Sequence, residues 1–204
     1  MDWCFCYIFR RIVLDKYSYK NFKTFVTMRK KILIFPFIAF FFVLLVFFYL
    51  LVIERDPSEL PSVLIDKKVP TFETESLLNK KTFISKNEFG SETTLVNFFA
   101  TWCGPCRGEH IYLKRLSNDK GLKIIGVNYK DNPNKAVEWL KELGNPYSEV
   151  IVDSKGHIGI DWGVYGIPET YIVNSKGIIK YRLVGPITKK NYKAFYSKIK
   201  ESED

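Results

Sequence analysis

Histidine and cysteine are scarce in this chain of 204 residues: two of the first, His110 and His157, and four of the second. A structural zinc site needs about four nitrogen or sulfur ligands. Cys4 and Cys6 lie ahead of a long apolar segment, far along the chain from Cys103 and Cys106, so no metal site is expected. A glycine-rich phosphate loop and a paired-metal pattern are missing too. There is no CxxCH haem-attachment motif, because Arg107 follows Cys106. Internal repeats and low-complexity segments are absent. Acidic residues are fewer than basic ones, 22 against 31, for a net charge of +9. The excess is local. Residues 1–31 hold eight basic and two acidic residues, and the other 173 hold 23 and 20. A basic flank without a recognition motif makes no case for nucleic acid binding.

Charge is absent altogether from Ile32 to Ile53, 22 residues. As a helix this run would reach about 33 Å, against a bilayer core of about 30 Å. It is longer than the apolar region of a signal peptide, and it ends in Tyr49-Leu-Leu-Val-Ile-Glu54 with no small-residue cleavage site. An uncleaved anchor is expected. Five basic residues lie in the 15 positions before the run and three in the 15 after it. The bias places the N-terminus in the cytoplasm and the rest of the chain outside. Met28 is followed by Arg29-Lys30-Lys31, a common start for such an anchor. Two readings of residues 1–27 stay open: a cytoplasmic tail, or a frame that extends past a true start at Met28. Neither gives Cys4 or Cys6 a role. Residues 54–68 carry Pro57 and Pro61 and read as a linker. The domain division is therefore 1–31 basic segment, 32–53 anchor, 54–68 linker and 69–204 folded domain.

The chemistry gathers at Trp102-Cys103-Gly104-Pro105-Cys106. An apolar run from Thr94 to Ala100 precedes it and a helix-like segment from Arg107 to Leu116 follows. A cysteine at a helix start sits among unpaired N–H groups and at the positive end of the helix dipole, which favours the reactive thiolate. Cys103 is the candidate nucleophile. Cys106, one turn on, is placed to resolve a mixed disulfide. A loop this short restrains little of the unfolded chain, so a purely structural disulfide is the weaker reading.

Around this motif the pattern alternates. Val69–Glu75 and Lys81–Ser85 read as a hairpin. Strands are expected at Leu95–Ala100, Leu122–Tyr129, Glu149–Val152, Thr170–Val173 and Ile178–Val184, the last two joined by the turn Asn174–Gly177. Helices are expected at Gly104–Leu116, Asn134–Leu143 and Thr188–Lys200, the last with Tyr192, Phe195, Tyr196 and Ile199 at helical spacing. The fold class is α/β, with helices on both faces of a sheet. His110 is expected as a surface or packing residue, His157 as a solvated loop residue, and Tyr129 and Trp162 as core or groove aromatics.

The pentapeptide WCGPC resembles the active site of the thioredoxin superfamily. Cys106–Leu113, Gly126–Asp131 (GVNYKD), Gly163–Thr170 (GVYGIPET) and Gly177–Pro186 narrow the resemblance to the CcmG/DsbE family. It covers residues 29 to about 200. It implies a thioredoxin fold, a central mixed sheet flanked by helices, with an N-terminal hairpin extension and one transmembrane helix. It implies that Pro168 is cis and faces the disulfide, that the Ile167 backbone can pair with an extended substrate peptide, and that no cofactor is needed beyond the Cys103–Cys106 disulfide. The acidic residues near the family's disulfide fall on Glu109 and Glu169. Either could take a proton from the resolving cysteine; otherwise Glu109 is a solvated helix residue and Glu169 a strand-edge charge. Trp102, Gly104 and Pro105 complete the surround. Gly-Pro is the thioredoxin dipeptide, which suits a reductant: about −270 mV there against about −120 mV in DsbA.

The activity implied is that of a thiol:disulfide oxidoreductase held in the inner membrane with its domain in the periplasm. It would reduce the haem-binding cysteines of apocytochrome c, directly or through a CcmH-type protein. A DsbD- or CcdA-type membrane reductase would supply electrons. Two other readings stay open. One is a TlpA- or ResA-like reductant for copper-site assembly or general disulfide reduction. The other is a membrane-held apocytochrome-binding module.

Overall fold

The computed structural model describes residues 35–51 and 63–203. The chain divides into two units, Met1–Arg55 and Asp56–Asp204. In the first, residues 35–51 form a helix, α1, with its side chains exposed. Its 17 residues reach about 26 Å. Among the described residues no helix is long and apolar enough to cross a membrane. The ends of the expected anchor, 32–34 and 52–53, lie outside the described residues. So do the basic segment 1–31, with Cys4, Cys6 and Met28, and most of the linker.

The second unit is built on a five-stranded sheet of order β5-β4-β3-β6-β7. Its centre is β3 (Thr94–Phe99), whose six residues are all buried. β4 (Lys123–Tyr129) and β5 (Glu149–Asp153) continue it in parallel. β6 (Glu169–Val173) pairs with the other side of β3 antiparallel, and β7 (Ile179–Val184) follows antiparallel to β6. Side chains alternate across a strand, so β3 feeds two cores. Leu95 and Phe99 face a core shared with α3 (Gly104–Lys120), α4 (Pro133–Leu143) and α6 (Tyr192–Glu201). Val96 and Phe98 face a second core with Phe83, Ile158 and Trp162.

That second core is covered differently. β1 (Glu73–Glu75) and β2 (Thr82–Ile84) form the expected antiparallel hairpin, followed by one turn of helix, α2 (Ser85–Glu88). Phe72 and Phe83 stack there. The helix on this face is the five-residue α5 (His157–Asp161), which the sequence pattern does not announce. Without it the expected helices would all lie on one face.

Two helix ends depart from expectation. α3 runs past Leu116 to Lys120, because the polar residues after Leu116 face outward and Gly121, at φ 65°, ends the helix with its N–H on the Leu116 and Ser117 carbonyls. α6 begins at Tyr192 rather than Thr188. Residues 188–191 are a turn instead, in which the Asn191 side chain accepts from the Thr188 N–H at 2.7 Å.

Candidate active site

β3 delivers the chain to the site and α3 carries it away. Cys103 is the N-cap of α3, in extended conformation, and its Sγ accepts the Cys106 N–H at 3.1 Å. Pro105 occupies the first turn, where a missing N–H costs nothing. Cys103 and Cys106 are joined in a disulfide. Both are buried, Cys103 at 5% exposure and Cys106 at 1%. Gly104 and Pro105 between them are exposed. The Ile167–Pro168 bond is cis, as the resemblance implies, and the Ile167 carbonyl oxygen lies 3.7 Å from Cys103 Sγ. Trp102 stands 62% exposed beside the pair. Cys103, Cys106, Trp102, Ile167 and Pro168 thus come together at one place.

A clamp from the β4–α4 connection fixes the turn before Cys103. The Asp131 carboxylate accepts the Thr101 N–H at 2.7 Å and the Thr101 hydroxyl at 2.9 Å, and also bonds Asn128 Nδ2 and the Asn132 N–H. Trp102 Nε1 donates to the carbonyl of Lys130 at 3.2 Å. Lys130 adopts φ 46° to present it, a strained conformation for a residue other than glycine. GVNYKD marks the family in sequence; its Lys130 and Asp131 hold the active-site turn.

Glu109 is not solvated. It lies one turn after Cys106 on α3 and is fully buried. Its Oε1 accepts from Asn97 Nδ2 at 2.9 Å and its Oε2 from the Ile187 N–H at 2.9 Å. Burial pushes its pKa up from 4.5 to about 7, and these two hydrogen bonds pull against that rise.

Glu169 is not a strand-edge charge either. It directly follows cis-Pro168 on β6, and Arg182 of β7 binds it with two hydrogen bonds, Nε to Oε2 at 2.8 Å and Nη2 to Oε1 at 2.9 Å. The pair is buried on both sides. The carboxylate also accepts the N–H groups of Tyr165 and Gly166 and the Tyr171 hydroxyl. Those amides belong to the loop that ends at Pro168. Glu169 staples the loop, and both of its oxygens are taken up by these donors.

His110 is a packing residue. It is buried edge-on against Trp139, and its Nε2–H donates to the Gly144 carbonyl at 2.7 Å. Burial lowers its pKa below 6.5, so the neutral ring is favoured. His157 is exposed, as expected, but starts α5 rather than lying in a loop. Trp162 is fully buried, and Tyr129 packs against Gly159 of α5. Among the described residues no three His, Cys, Asp or Glu side chains gather as a metal would require.

Four further residues shape the site: Asn97, Tyr147, Asp131 and Arg182. Asn97 left a trace in the sequence, as the one strongly polar residue inside the apolar run before WCGPC. Arg182 left a weaker one, a charge inside a strand. Tyr147 left none.

The Redoxin family model matches residues 65–196. The thiol:disulfide interchange protein DsbE of Vibrio cholerae is 44% identical over 168 residues, 81% of this chain and 91% of that protein. DsbE of Escherichia coli K12 is 43% identical over 164 residues, 78% and 88% of the two chains. Among solved structures, a putative DsbE from Chlorobium tepidum covers 70% of this chain and all of its own, with a TM-score of 0.61 at 22% identity. At that identity the likeness speaks for the fold. With the disulfide at a helix N-terminus facing a cis-proline, these similarities lead to one conclusion: the chain belongs to the DsbE family of thioredoxin-like thiol:disulfide interchange proteins and is a thiol-disulfide oxidoreductase.

Proposed function

We propose that this oxidoreductase works as a reductant of the haem-binding cysteines of apocytochrome c, directly or through a CcmH-type partner. The domain stands on the periplasmic side of the inner membrane, anchored by residues 32–53. The arrangement at the disulfide supports the roles of the two thiols. Cys103 faces a backbone carbonyl beside a cis-proline, and Cys106 is buried one turn from a carboxyl group with an unusually high proton affinity. In the reduced form the Cys103 thiolate attacks a sulfur of the substrate disulfide. The first substrate sulfur leaves as a thiolate and takes a proton from solvent. The second stays bound to Cys103. Cys106 gives its proton to Glu109, and its thiolate attacks Cys103 Sγ. The second substrate thiolate leaves, and the Cys103–Cys106 disulfide forms. Two electrons have passed to the substrate. A DsbD- or CcdA-type membrane reductase returns them, because an extracytoplasmic compartment is oxidising. The Ile167 backbone holds the substrate strand beside Cys103.

The test is covalent trapping. Cys106→Ser should accumulate a mixed disulfide with apocytochrome c or the CcmH-type protein, visible on non-reducing gels, and Cys103→Ser should not. The reverse pattern would overturn the assignment of roles. Loss of c-type cytochromes with intact oxidase copper separates this reading from a TlpA- or ResA-like one. A double Cys→Ser chain that still supports cytochrome c assembly would leave only a binding module.

A further inference from the structure

Asn97 occupies the middle of β3, a strand buried at every residue, where an amide must satisfy all its hydrogen-bonding groups or lose stability. It does so completely. One Nδ2 proton goes to Glu109 Oε1 at 2.9 Å and the other to Thr170 Oγ1 at 3.0 Å, while Oδ1 accepts the Tyr147 hydroxyl at 2.9 Å. A carboxylate can only accept, so Nδ2 must be the end that faces it. If Glu109 is protonated on Oε1, that end is wrong: donor meets donor. The amide would have to turn over, and the Tyr147 and Thr170 hydroxyls would have to reverse with it. Tyr147 is held where it is. Its ring stacks on Phe99 with centroids 5.0 Å apart. It also lies so close to Gly126 that a Cβ there would come within 2.9 Å of it.

We propose that Asn97 and Tyr147 are positioning residues that keep the Glu109 carboxylate charged and ready to take the Cys106 proton. The inference rests on the role given to Glu109 above. The surroundings of Glu109 leave this task to them. From α3, Cys106 and His110 flank it, but His110 is bound to Gly144. β3 and β6 contribute neutral Asn97 and Thr170, and the chain at Ile187 contributes one N–H. No cation contributes to the shift of its pKa. Tyr147 is the other titratable group coupled to it. Burial, and then the charge of Glu109, holds that phenol well above its ordinary pKa, so it remains a donor. Removing a donor from a buried carboxylate favours its protonated form.

The test uses the full-length chain in detergent and two readouts. The first is the midpoint of Glu109 protonation, followed by carboxyl carbon NMR in the dithiol form. The second is the pH profile of resolution, from a thionitrobenzoate mixed disulfide at Cys103 whose coloured thiol Cys106 releases. Tyr147→Phe keeps the ring. It should raise the Glu109 midpoint by about half a unit and move the resolution profile up with it. Attack by Cys103 on an external disulfide should not change. Asn97→Leu should shift both further if it folds; the conclusion does not depend on it. Glu109→Gln should remove the Glu109 midpoint from the resolution profile and leave a slower release that follows only the ionisation of the Cys106 thiol at higher pH. If it does not, the role of Glu109 itself fails. If it does, and Tyr147→Phe leaves both midpoints where they were, the inference about Asn97 and Tyr147 is overturned.

Discussion

Glu109 and Glu169 are both fully buried near one disulfide, yet they are made for different tasks. Glu169 meets a guanidinium, two amides and a phenol. Glu109 meets one amide side chain and one backbone N–H and, among the described residues, no cation. A carboxylate bound by a buried guanidinium and by backbone N–H groups organises the backbone around it. One with only neutral donors can exchange a proton near neutral pH. The residue type says nothing of this; the partner decides.

The contrast breaks most violently at Arg182. Arg182→Met would leave Glu169 in the position of a carboxylate without a cation, and the Pro168 loop without its staple. Breaking a buried ion pair from one side costs about 3–5 kcal/mol, so urea unfolding should show a loss of that order. Glu169→Gln with Arg182→Met should lose less than the two single losses added.

The next effect belongs to Glu109. Its folded pKa of about 7 lies above the ordinary 4.5. As pH rises past about 4.5 the unfolded chain releases this proton first, so stability falls until pH exceeds about 7. The loss is on the order of 3 kcal/mol. His110, shifted downward, works in the opposite sense, losing stability as pH falls. The wild-type curve minus that of Glu109→Gln isolates the term, and it should drop across this window. A flat difference would mean that Glu109 is not perturbed in the folded chain.

A smaller effect should touch the Glu109 side alone. Gly126→Ala places a methyl 2.9 Å from Tyr147 and 3.0 Å from Phe99. Overpacking of this kind costs about 1–3 kcal/mol, and the displaced ring should disturb Asn97. Thermal unfolding measures the first, and the midpoint of Glu109 the second. The smallest effect is a control. Arg107 and Glu142 pair at 3.0 Å on the surface, and Glu142→Gln should leave the unfolding curve unchanged within error.

How much of this could be read beforehand follows from the range of each interaction. β3 and the cysteine pair were legible because their signals are local: an apolar run, then WCGPC. Pro168 needed the family resemblance, since nothing in Gly-Ile-Pro-Glu itself requires a cis bond. α5 was hidden because its cap comes from outside. Gly156 makes no side-chain cap; Asp153 reaches over to bind the Ile158 and Gly159 N–H groups at 3.3 and 2.9 Å. The proper reading of Glu169 depended on Arg182, 13 residues away across a strand pair. Tyr147 stands 50 residues from Asn97, and no periodicity links them.

The N-terminal extension has a bearing on solubility. Ser76 bridges Ile151, and the Leu77 N–H bonds the Val150 carbonyl, along the outer side of β5. At the opposite side of the sheet, Asp66 and Lys67 bond Ile179, and Lys68 bridges Ile178, at the start of β7. A single stretch of chain, from about residue 66 to 77, therefore occupies part of each margin of the sheet, at Val150 and Ile151 of β5 and at Ile179 where β7 begins. A fragment trimmed to begin at Phe89 would retain both cysteines and the cis-proline loop while baring two unpaired strand edges. It should self-associate in solution, in proportion to its concentration, where the untrimmed domain stays dispersed.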